Sequence, residues 1–167
     1  MSGMMQQLLE TMNDQAQRYE ELLGLALEKK DVVVQNDVEG LQKITNLENI
    51  LISQNNRLEK KRLSLVTDIA EVLGQRGNDL DIAALIELMT GQPEEQKELK
   101  AVGDRIRDAL KQLKEANDFN SSLIQNALDY IEYSMNLIRS SAQQTQATYS
   151  VKDGQLHEDF SMLDVRN

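Results

Sequence analysis

Residues 99–142 read LKAVGDRIRDALKQLKEANDFNSSLIQNALDYIEYSMNLIRSSA. Leu99, Val102, Ile106, Leu110, Leu113, Ala116, Asn120, Ile124, Ala127, Ile131, Met135, Ile138 and Ala142 recur at intervals of three or four, the period of one face of an α-helix. Pro93 is well placed as the first residue of that helix, and the stripe lasts to about Tyr149. At 1.5 Å per residue such a rod is roughly 85 Å long and must pack on something.

Its natural neighbours lie upstream. Met5, Leu9, Met12, Ala16, Tyr19, Leu23, Ala26 and Val33 share one helical face, with a lapse at Lys30. Asn36 and Asp37 then supply N-cap side chains, with Gly40 close behind, and predict a kink or tight turn over 35–40. Leu41, Ile44, Leu47, Leu51, Leu58, Leu65, Ile69 and Val72 form the next stripe, whose seam is made partly polar by Asn55 and Arg62. Gly74, Gly77, Asn78 and Asp79 end it, because glycine accepts the left-handed conformation that closes helices. A short segment follows with Ile82, Leu85, Ile86 and Met89 on one side, and then a break at residues 90–93.

The expected fold is therefore all-α: a long antiparallel helical bundle or coiled coil of three long helices plus one short helix. The helices fall at about 4–35, 38–73, 81–89 and 93–149, in one domain spanning 1–149. After about Ser150 the periodicity fails among Asp153, Gly154, Glu158, Asp159 and Asp164, which predicts a flexible acidic tail over 150–167, mobile when no partner is bound.

Composition narrows the chemistry. The chain has 167 residues, a formal net charge of −10 and 4% aromatic residues with no Trp, so Leu, Ile, Val, Ala and Met must fill its interior. The acidic balance, with a sequence pI near 4.6, repels phosphate backbones and anionic lipid, which argues against a nucleic-acid or membrane partner. The basic run Lys60, Lys61, Arg62 reads as a solvated helix face. Without Cys there are no disulfides, thiolate metal sites or cysteine nucleophiles, which fits a reducing cytoplasm. No apolar run approaches the roughly 18 residues of a membrane span, so no stable membrane insertion is expected.

His157 is the single histidine, so a two-histidine metal site and a histidine-relayed triad are both out of reach within one chain. The glycines never form a phosphate-cradling loop. Glu94, Glu95 and Glu98 suit a helix start through its dipole. The expectation is a protein that is not an enzyme, with no catalytic residues, no metal and no cofactor.

The informative feature is a change of character within the last helix. From Phe119 to Tyr149 the only charges are Asp129, Glu132 and Arg139, while Asn, Ser, Gln and Thr supply the polar positions. Phe119, Leu123, Tyr130 and Leu137 form a second stripe beside the first and widen the apolar arc to about half the circumference. A helix facing two neighbours buries such an arc in a three-helix core. A helix at the edge of a bundle instead exposes it as a groove for a visiting helix. Low charge, with Tyr130 and Tyr133 in the stretch, favours a partner-binding face. Tyr149, in phase with Ile131, either closes the core stripe or stands out as an anchor for a second partner.

These residues resemble the FlgN-like flagellar export chaperones. The resemblance lies in the turn Asn36, Asp37, Val38, Glu39, Gly40, Leu41; in Ala116, Asn117, Asp118, Phe119, Asn120 followed by Leu123, Ile124, Leu128, Tyr130 and Ile131; and in the ending Tyr149, Ser150, Val151, Lys152, Asp153, Gly154 with Leu163, Asp164, Val165 and Arg166. It implies a cytoplasmic chaperone of flagellar type III export. Such a protein holds the helical termini of the hook-filament junction proteins FlgK and FlgL, prevents their premature association and delivers them to the export gate. On that reading Phe119, Leu123, Tyr130, Tyr133 and Leu137 contact the client, and Tyr149 contacts the export apparatus. A homo-oligomer is compatible with it. The rival is a self-associating coiled-coil scaffold or signalling adaptor with the same long helices.

Overall fold

A computed structural model describes residues 2–75 and 80–161, with side chains described over 3–75 and 80–150. Four helices follow one another: α1, Ser2–Val34; α2, Val38–Val72; α3, Ile82–Leu88; and α4, Pro93–Ser161. There is no strand among the described residues. The fold is the all-α helical bundle that the apolar periodicity requires.

Each break has a local cause. Asn36 sits in the left-handed region at φ 56°, and its N–H donates to Val33 O at 3.2 Å while the Asp37 N–H donates to Val32 O at 2.9 Å. This pair of bonds satisfies the last carbonyls of α1, and Asn tolerates the conformation better than most side chains do. Asp37 then caps α2 by accepting from the Gly40 N–H at 2.9 Å. Gly40 leaves room for this cap, since a Cβ there would displace the Asp37 carboxylate and lie 3.1 Å from Val32 Cγ1. The end of α2 repeats the device with Gly74 at φ 76° and the Gln75 N–H donating to Ala70 O at 2.9 Å. Gly77, Asn78 and Asp79, also expected to stop α2, lie outside the described residues. Asp81 caps α3 by accepting from the Ala84 N–H at 2.7 Å, and Gln96 Nε2 of α4 donates to Ile86 O of α3 at 2.7 Å.

The chain divides into two units, Met1–Leu123 and Ile124–Asn167. In the first, α1 runs antiparallel to α2, as Lys29–Glu48 at 2.6 Å and Gln15–Glu59 at 2.8 Å show. It runs parallel to the start of α4: Arg105 pairs with Glu20 at 2.6 Å, and Asn120 Nδ2 donates to Ala26 O at 2.7 Å. Flanked on two sides, α1 buries Leu8, Thr11, Gln15 and Leu22 besides the expected Met5, Met12, Ala16 and Ala26. The continuous apolar core gathers Met5, Leu8 and Met12 of α1 with Leu65, Val66 and Ile69 of α2, Leu85 of α3, and Leu99 and Val102 of α4. The partly polar seam of α2 is real: Asn55 is buried and Arg62 is half-buried against Glu59. Burial pushes the Glu59 carboxyl up, but the hydrogen bonds from Gln15 and Arg62 outweigh it and hold the group below the usual carboxylate range.

Two features of α4 are not visible in the periodicity. The boundary between the two units falls inside α4, after Leu123. The physical reason lies in the first unit: Asn120 already stands beside Ala26 and Phe119 beside Lys30, and α1 ends at Val34. By Leu123 the hairpin of α1 and α2 is nearly used up. The backbone of α4 is also helical to Ser161, past the lapse of the apolar stripe. A formed helix elongates at little cost through a stretch without proline, whatever its amphipathicity. The rest of the expected tail, residues 162–167, lies outside the described residues.

Candidate partner-binding face

From Ile124 to Ser150 the second unit consists of α4, and its side chains carry both apolar stripes. Ile124 and Ala127 are half-buried, whereas Leu128, Ile131, Met135 and Ile138 of the first stripe are 54%, 53%, 48% and 67% exposed. Tyr130 and Leu137 of the second stripe are exposed too, and so is Tyr133. In helical phase the three charged residues stand apart, Glu132 and Arg139 at about 80–100° and Asp129 at about 160° from Ile131, on the side away from Tyr130 and Leu137. More than half the circumference is thus free of charge.

The serine and threonine hydroxyls of this stretch are bonded back within the helix, while the amides of Asn126, Asn136, Gln143, Gln144 and Gln146 face solvent. Ser134 Oγ donates to Tyr130 O at 2.9 Å, Ser140 Oγ to Asn136 O at 2.6 Å, Ser141 Oγ to Ile138 O at 2.9 Å, Thr145 Oγ1 to Ser141 O at 2.9 Å and Thr148 Oγ1 to Gln144 O at 2.8 Å. A hydroxyl bonded back to the preceding turn can be covered without leaving a donor unmet. Covering this face therefore gains apolar burial without stranding those hydroxyls, and leaves the amides to bond a partner's polar groups.

The residues singled out in the sequence fall into both units. Tyr130, Tyr133 and Leu137 lie on the second. Phe119 and Leu123 belong to the first, where Phe119 is 50% exposed with Lys30 Nζ 5.3 Å above its ring, and Leu123 is half-buried. That cation over the ring face holds Phe119 in place while leaving its edge accessible. Tyr149 is exposed rather than packed into a core, beside Thr145 and Thr148 in an open polar depression. The sequence reading did not single out Leu128, Ile131, Met135 and Ile138 as an exposed surface, because their spacing is that of a core stripe. Only the structure shows where the hairpin that could cover such a stripe comes to its end.

Among the described residues, no cluster of His, Asp or Glu is placed to hold a metal ion, and no helix is long and apolar enough to cross a membrane. No curated protein and no solved structure matches the chain. The family model of the FlgN protein does, over residues 1–158. With nearly the whole chain inside that match, and with a helical bundle that leaves a charge-poor apolar face uncovered, the protein belongs to the FlgN family of flagellar export chaperones, a family of binding proteins and not of enzymes.

Proposed function

We propose that this protein is a cytoplasmic flagellar type III export chaperone that holds the helical termini of the hook-filament junction proteins FlgK and FlgL and delivers them to the export gate. One observation carries the reading: along Leu128–Ser150 both apolar stripes stand in solvent, not the second alone. An amphipathic terminus that is disordered when free gains a partner for its apolar side by folding against such a surface. The ordering entropy it loses keeps the affinity moderate, which suits a cargo that must be released. Tyr130, Tyr133 and Leu137 serve as client contacts on the second unit, and Phe119 and Leu123 offer apolar surface on the first. Tyr149 and the segment after it meet the export apparatus.

The test is a titration of a terminal peptide of a junction protein from the same genome against the full chain. Tyr130→Glu and Leu137→Glu should each weaken binding roughly tenfold or more, the scale of losing an interface anchor. Lys111→Glu and Lys114→Glu should have little effect, and Tyr149→Ala should leave client affinity intact while impairing delivery. Equal losses at Lys111 and Lys114 would sink the assignment of the face. A tight self-dimer dispersed by Tyr130→Glu, with no peptide binding, would favour the scaffold reading instead.

A further inference from the structure

Over its middle stretch, Leu41 to Thr67, the outward side of α2 carries charge of one sign only, with exposed Glu39 before it and exposed Asp68 and Glu71 after it. Between Leu41 and Thr67 the only acids are Glu48 and Glu59, and both are engaged inward, Glu48 with Lys29 at 2.6 Å and Glu59 with Gln15 and Arg62. On the outer surface Lys43, Leu47, Ile50, Gln54, Arg57 and Lys61 follow one another at alternating steps of four and three, so they lie in one stripe, and all are exposed. Leu47 and Ile50 are 50% and 54% exposed. Lys43 pairs with Glu39 at 3.2 Å in open solvent, while Arg57, Lys61 and the adjacent Lys60 make no ion pair among the described residues. In a chain of net charge −10, this is a cationic stripe with an apolar pair at one end.

We propose that this stripe is a docking surface for an acidic amphipathic helix of a partner protein, distinct from the face on Ile124–Ser150. The heptad step puts Leu47 and Ile50 at apolar seam positions of a coiled-coil contact and Arg57 and Lys61 at the next positions of the same seam, with Lys60 beside them, so that acidic residues of the partner face the cations. An anionic lipid surface fits less well, because two apolar side chains make no continuous embedded face and the whole molecule is strongly acidic. A second copy of this chain fits less well too. Its exposed acidic stripe on α1, with Glu10, Asp14, Glu21, Glu28 and Asp31, carries no apolar side chain in that register to cover Leu47 and Ile50.

The experiment uses the full chain and a designed helical peptide with Leu at the positions that meet Leu47 and Ile50, made in two forms with either Glu or Lys at the positions that meet Arg57, Lys60 and Lys61, followed by fluorescence anisotropy. The Glu form should bind, more weakly as salt rises, and the Lys form should bind much less. Combined Arg57→Glu, Lys60→Glu and Lys61→Glu should reduce Glu-form binding roughly tenfold or more. Leu47→Ser with Ile50→Ser should do likewise, and the preference for the Glu form over the Lys form should survive Tyr130→Glu, which separates this surface from the client face. All are exposed positions, and unchanged helicity checks the fold. Equal binding of the two forms, unchanged binding by the triple variant, or preference for phosphatidylglycerol vesicles over the peptide would each overturn the proposal. So would a self-association of the full chain that the triple variant abolishes.

Discussion

Asn120 and Asn55 are both buried in the first unit, at 3% and 5% exposure. Asn120 Nδ2 donates to Ala26 O at 2.7 Å and so pins the register of α4 on α1. Asn55, in the seam of α2, has neither its amide nitrogen nor its oxygen hydrogen-bonded to the protein. A buried amide without a partner costs more than it returns, so the same residue type has opposite energetic signs at the two places. Asn120→Ala should destabilise the protein by about 1–2 kcal/mol, whereas Asn55→Leu should stabilise it by about 1 kcal/mol. Urea denaturation followed by circular dichroism measures both as shifts of midpoint in opposite directions; a loss of stability in Asn55→Leu would mean that the amide is satisfied in solution. Sequence placed both asparagines on seams, but an amide at a seam position looks the same whether or not a carbonyl stands opposite it.

α4 changes its role along its length without a break in its backbone. Through Leu99, Val102, Ala109 and Asn120 it is buried against the rest of the first unit, whereas from Leu128 to Ser150 every side chain but Ser134 is exposed. An uncovered helix keeps its hydrogen bonds by propensity alone and opens at low free energy, while the packed part opens only with the bundle. Native-state hydrogen exchange should therefore find the amides from Val102 to Asn120 protected at least tenfold more than those from Ile131 to Thr148, a ratio of order 1.4 kcal/mol. Addition of a client peptide should slow the second group selectively. Uniform protection along α4 in the free protein would mean that its apolar stripes are already covered, by self-association or otherwise.

For the whole molecule, the boundary at Leu123 has a direct consequence. The apolar core, both helix stops and the polar links of α1 to α2 and α4 through Glu59, Glu48, Glu20 and Asn120 all lie before it. A chain ending at Leu123 should thus fold on its own, with a cooperative thermal transition within about 5 °C of the full-length protein, a shift corresponding to roughly 1 kcal/mol. It should lose affinity for the client peptide. A truncated chain with no cooperative transition would show that the second unit contributes to the core.

The sequence by itself determined the helical character, the order of the helices and their local ends. Those follow from apolar period, from Asn36, Asp37, Gly74 and Asp81 as stop and start residues, and from the absence of any proline but Pro93, all of which act within a few residues of where they stand. It also exposed the low charge after Phe119, because composition is local. What only the tertiary structure decided is which apolar stripes are covered. The apolar residues around Val102 and those around Ile131 repeat with the same period on the same helix, yet Val102 is buried and Ile131 is exposed, because α1 stops at Val34 and has nothing further to offer α4. The burial of Thr11 and Gln15 and the inward turning of Glu48 and Glu59 have the same origin, since each depends on a side chain more than a dozen residues away in sequence and adjacent only after packing.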